Sequence, residues 1–134
     1  MRILKNLKYY KWALVWSVVI FILCGMEMPP METEGFFFVG FDKLAHLGFF
    51  FVLTILLFYG KIRYQHNYSF SSLTILKIIL ITGTLGAGIE LMQWLFFYYR
   101  SAEWWDFFCD MAGVFMGVFS YILLHKSHYN EKDV

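Results

Sequence analysis

Charge is scarce in this chain: 16% of its 134 residues are Asp, Glu, Lys or Arg, against 60% hydrophobic and 22% aromatic. A soluble domain of this length could not bury so much apolar surface, so the composition is that of an integral membrane protein. Proline is also scarce. The pair Pro29-Pro30 is all there is, and it stops the first apolar run because proline lacks a donor and clashes with the preceding turn. Cysteine is limited to Cys24 and Cys109, both toward the ends of apolar runs. An oxidising compartment would permit a bridge, but in such surroundings a cysteine behaves as a small hydrophobe, and no metal role is expected of either. Internal repeats and low-complexity tracts are absent.

What is present is four segments long enough to cross a hydrocarbon core of roughly 30 Å at about 1.5 Å of helical rise per residue. They run from Trp12 to Met28, Leu44 to Tyr59, Leu73 to Phe97 and Trp105 to Leu124. So little lies between them that the chain, 1–134, reads as one transmembrane domain: an all-α, four-helix integral membrane bundle. The net charge of +1 conceals two opposed sides. Arg2, Lys5, Lys8, Lys11, Lys61, Arg63, Lys77, Lys126 and Lys132 flank one side of the spans, and the positive-inside rule puts them and both termini in the cytoplasm. The other side holds Glu27, Glu32, Glu34, Asp42, Glu90, Glu103, Asp106 and Asp110, with Lys43 and Arg100 as its cations. The basic start also has the look of a signal peptide. No small-x-small cleavage site follows it, and Leu23 before Cys24 is too large for lipoprotein processing, so the segment is expected to stay as the first span.

The connections carry less information. Gly35 to Phe41 is too short to span and too apolar for water; it reads equally as an aromatic belt and as a lip beside the polar groups. The loop from Lys61 to Ser72 suits a plain cytoplasmic connection. His125 and His128 could imitate a metal pair, but no third ligand is near in sequence and a solvated tail is the expectation.

Helical spacing gathers the polar residues. Asp42 and His46 are four apart at the start of the second span, with Lys43 beside them; Glu90 and Gln93 share a face of the third; Asp106 and Asp110 share one of the fourth. That last stripe continues as Gly113 and Gly117, and Gly83, Gly86 and Ala87 form a similar small strip on the third span, so these two helices are expected to pack closely and leave a polar cavity open to the outer side. Buried ionisable groups cost about 2.5–3.5 kcal/mol each on insertion scales. Glu90 is therefore expected to be protonated, paired with Lys43 or Arg100, or hydrogen-bonded to His46 or Gln93. The plainer alternative is that all these groups simply glue the helices together. Asp, Glu and a single His would suit a hard divalent cation, but two-His and Cys-rich spacings are missing, and no metal is assigned. Ser101 has no sequence feature pairing it with His46 as a nucleophile.

The run Asp42-Lys43-Leu44-Ala45-His46, then Glu90-Leu91-Met92-Gln93, Arg100, and Glu103-Trp104-Trp105-Asp106 through Gly113 and Gly117, resembles the VanZ-like family of small bacterial membrane proteins. The pattern there is D-K-x-x-H, E-x-x-Q, an outer-loop arginine and D-x-x-x-N-x-x-G-x-x-x-G, covering Asp42 to Gly117. Asp110 stands where that pattern has asparagine, exchanging a neutral donor-acceptor for an acid. The resemblance implies a multi-pass protein of the bacterial cytoplasmic membrane, and an association with low-level resistance to teicoplanin, a lipid-bearing glycopeptide.

Three functions follow as expectations. In the first, Asp42, Lys43, His46, Glu90, Gln93, Arg100, Asp106 and Asp110 bind a membrane lipid, an anionic lipid-linked precursor or a glycopeptide, with Lys43 and Arg100 on the anion and Gly35 to Phe41 on acyl chains. In the second, the protein is an enzyme acting on an outer-leaflet lipid or cell-wall intermediate, with His46 as general acid or base poised by Asp42 or Glu90. In the third it is a scaffold, docking on a membrane-protein partner or another copy through Gly113 and Gly117. No cofactor and no nucleic acid are expected.

Overall fold

The computed structural model describes residues 6–26, 40–96 and 104–132, with side chains as far as residue 125. Within them a 3-10 turn, Lys8–Tyr10, leads into α1 (Lys11–Gly25), followed by α2 (Phe41–Gln65), α3 (Ser72–Phe96) and α4 (Trp104–Lys132). Four stretches, Lys8–Gly25, Phe41–Gln65, Ser72–Phe96 and Trp104–His125, are long and apolar enough to cross a membrane.

The helix ends differ from the sequence reading for local reasons. α1 stops at Gly25, ahead of the proline pair, where a poor helix former meets the extended backbone of Met26 (φ −78°, ψ 142°). α2 opens after Gly40, whose φ of +90° suits a residue without Cβ. It runs on to Gln65, making Lys61 and Arg63 helical, and closes with His66 in the left-handed region, its N–H donating to the Ile62 carbonyl at 2.8 Å. The loop thus shrinks to 66–71. Ser71 ends it as an N-cap, accepting from the Thr74 N–H at 3.3 Å. α4 continues to Lys132, so the expected tail is helical too.

α2 is the central element, and its pairing with α4 is the most extensive in the bundle. Glycine explains the closeness. A Cβ on Gly113 would overlap the Leu47 carbonyl, and one on Gly117 would come within 2.7 Å of Thr54. The Gly113/Gly117 stripe therefore receives α2 of the same chain, which corrects its expected pairing with the third span. α3 meets α4 through Gly83, opposite Met111, and Gly86, opposite Asp110.

Ala13, Ile20, Cys24, Phe50, Leu53, Ile89 and Val114 form one buried cluster. Trp16 on α1 adds a hydrogen bond from its indole to the Phe49 carbonyl at 3.0 Å. At the opposite end from Asp42, Phe58 and Tyr121 stack with centroids 4.3 Å apart, Phe70 of the loop stacks on Tyr121 at 5.0 Å, and the Tyr121 hydroxyl donates to the Tyr68 carbonyl at 2.5 Å. Val18, Phe21, Leu80, Trp94, Phe108 and Phe119 point outward, as side chains facing lipid do. Cys24 is buried, Cys109 is half-buried, and they form no disulfide.

Candidate functional site

α2, α3 and α4 each deliver one buried ionisable group to the same place. His46, Glu90 and Asp110 are 2%, 8% and 1% exposed, and one nitrogen or oxygen from each lies within 4.8 Å of the others. The register comes from Gly86, Gly113 and Gly117, which draw α4 against both α2 and α3.

His46 Nδ1 and Asp110 Oδ1 share a hydrogen bond at 2.9 Å. This fixes the imidazole ring and gives it a carboxylate partner, the arrangement that orients a histidine for proton transfer or ligation. One turn nearer the helix ends, Lys43 Nζ donates to Asp106 Oδ1 at 3.3 Å and lies 3.6 Å from Asp42 Oδ2. Asp106 is buried, whereas the Lys43 and Asp42 side chains are about a third exposed. The site is thus layered: an ion-paired triad of Asp42, Lys43 and Asp106 over a buried triad of His46, Glu90 and Asp110.

Several expectations are rearranged by this geometry. Asp42 shares a helix face with His46, yet it pairs with Lys43, and the acid on His46 is Asp110. The amide of Gln93 donates to the Cys24 carbonyl at 2.9 Å, supplying a donor at the end of α1, where helix carbonyls lack partners. Among the described members of the cluster, His46, Glu90, Asp106 and Asp110 are buried and Lys43 and Asp42 are the most exposed, while the connections expected to border the cavity, 27–39 and 97–103, lie outside the described residues. Arg100, Ser101, Glu103 and most of Gly35 to Phe41 lie outside the described residues. The His46–Asp110 contact is invisible to spacing, because it joins separate helices. Gly86, a packing residue by its spacing, also makes room for the Asp110 carboxylate.

Chemically, a histidine held by a buried acid can exchange a proton, and Lys43 at the rim can meet an anion. All of these groups sit on helices, which place side chains more precisely than loops do.

No curated protein and no solved structure matches the chain. A family model does, over residues 2–125, and its description is VanZ/LLP1. The match takes in all four spans, well beyond the stretch from Asp42 to Gly117 that carries the motifs, and so the chain belongs to the VanZ/LLP1 family of membrane proteins.

Proposed function

We propose that this VanZ-like protein binds a cell-envelope ligand at its layered polar cluster, from the outer side of a bacterial cytoplasmic membrane. Lipid, lipid-linked cell-wall precursor and glycopeptide share the chemistry required, an anionic or polar head group joined to an apolar body. The observation that carries the reading is Lys43, about a third exposed and paired at 3.3 Å with buried Asp106, above buried His46 and Asp110. A cation at the mouth of a polar cluster is placed to take an anion, and Arg100 in the neighbouring connection would add a second. Acyl chains would lie on Gly35 to Phe41. Resistance to teicoplanin enters as an association with the family.

The test uses teicoplanin and a polyprenyl pyrophosphate as probes on protein in nanodiscs, with teicoplanin susceptibility of expressing cells as the second readout. Lys43→Ala and Arg100→Ala are each expected to weaken binding roughly ten-fold, the effect of losing a charge-assisted hydrogen bond. If both bind and protect like wild type, the ligand-binding reading fails.

The 2.9 Å His46–Asp110 pair favours a second reading, an enzyme acting on an outer-leaflet lipid or cell-wall intermediate. There His46→Ala abolishes turnover and spares binding, a split that the binding reading does not produce.

A further inference from the structure

We infer that His46, Glu90 and Asp110 form a site for one divalent transition-metal ion, of which Zn2+ and Mn2+ suit the donors best. Bonds of 2.0–2.2 Å in tetrahedral geometry put ligand atoms about 3.4 Å apart. The three atoms here are within 4.8 Å of each other, so side-chain torsions on fixed helices need to close them by at most about 1.4 Å.

Asp110 supplies an independent sign. Its Oδ1 is engaged by His46, but its Oδ2 is buried and has no hydrogen-bond partner among the described residues. That oxygen occupies the notch left by Gly86, where an added Cβ would sit 2.9 Å from it. It is thus aimed at α3, the helix that carries Glu90 one turn further on. A buried carboxylate oxygen without a donor is costly unless something positive meets it.

Charge balance points the same way. Two carboxylates, a neutral imidazole and a 2+ ion sum to zero, the net charge a low-dielectric site tolerates best. One nitrogen and two oxygens, with no sulfur, favour borderline Zn2+ or the harder Mn2+ over soft Cu(I). Three protein ligands also leave a coordination position for water or an anionic oxygen. Asp110 replaces the asparagine of the VanZ-like pattern, so the second carboxylate is a feature of this chain. The inference is independent of the ligand proposed above, since the ion is measured alone.

Full-length protein in nanodiscs, stripped with a chelator, is titrated calorimetrically with ZnCl2 and MnCl2, with MgCl2 for comparison. Saturable binding of one Zn2+ or Mn2+ per chain is expected, weakened at least ten-fold in Asp110→Asn and Glu90→Gln and unchanged in the double variant His66→Ala, His125→Ala. X-ray absorption of the Zn2+-loaded wild type decides the matter even if a variant fails to fold: the expected shell holds one imidazole and otherwise oxygen or nitrogen. The inference is overturned by absence of saturable binding, by wild-type affinity in Asp110→Asn, or by a shell with sulfur or several imidazoles.

Discussion

Single side chains in this bundle do two kinds of work, and neighbours on one helix turn can differ. On α3, Glu90 turns into the polar cluster, while Gln93 donates its amide to the Cys24 carbonyl and ties α3 to the end of α1. Replacing Gln93 with leucine removes that donor without opening a cavity of any size. Interhelical hydrogen bonds in membranes average about 0.6 kcal/mol and reach about 1.7, so Gln93→Leu is expected to lower stability within that range in SDS-titrated unfolding. An unchanged unfolding curve would show that the amide contributes nothing to the fold. At this scale the sequence is legible in part. The faces bearing Asp42, His46, Glu90 and Asp110 follow from helical spacing, which orders residues along one helix. Spacing is silent on register between helices, and so the partner of His46 and the role of Gln93 emerge only from the fold.

Between elements, the close approach of α2 and α4 sets that register. Gly113 and Gly117 belong to a stripe that the sequence marks plainly, but a small stripe names no partner; Leu47 and Thr54 give no signal that they will fill it. A methyl group at Gly113 meets the backbone of Leu47 and Phe51, which cannot swing aside as a side chain would. Gly113→Ala should therefore push the helices apart and destabilise the protein by about 1–3 kcal/mol, the range for overpacking. A methyl group added at Gly48, also on α2, meets nothing within 4 Å, and Gly48→Ala should be neutral or stabilising by up to about 1 kcal/mol, the gain in helix propensity. Equal effects at the two positions, in the same unfolding assay, would remove glycine contact as the cause of the α2–α4 fit. Helix ends are less legible than helix existence. Length and apolarity reveal a span, whereas its last turns depend on single residues such as Gly25, Gly40 and His66.

For the molecule as a whole, the uneven charge is the feature that gives the cluster a side. Lys8, Lys11, Lys61, Arg63 and Lys77 belong to one end of the spans and Asp42, Asp106 and Asp110 to the other, and positive-inside sorting would turn the second group outward. With Cys24 and Cys109 replaced by alanine, single cysteines at Thr33 and Ser101 should react with an impermeant maleimide on intact cells, and one at Ser69 should not. Labelling at Ser69 alone would place the polar cluster on the cytoplasmic side and undo the envelope-ligand reading. Composition is enough to read membrane embedding and four spans, because both rest on sums over many residues; the pairing of His46 with Asp110 rests on a few contacts and cannot be read that way.

The most direct test of the central claim, that three helices join one imidazole and two carboxylates in a buried cluster, is a solid-state NMR distance measurement. Protein labelled with 15N at histidine and 13C at aspartate and glutamate side chains, in lipid bilayers, reports which carboxyl carbons lie beside the His46 ring. A hydrogen-bonded pair predicts an Asp110 carboxyl carbon within about 4 Å of His46 Nδ1, with the Glu90 carboxyl dephasing the same ring. His46 without a carboxyl neighbour, with Glu90 and Asp110 on separate lipid-facing surfaces, would contradict the account.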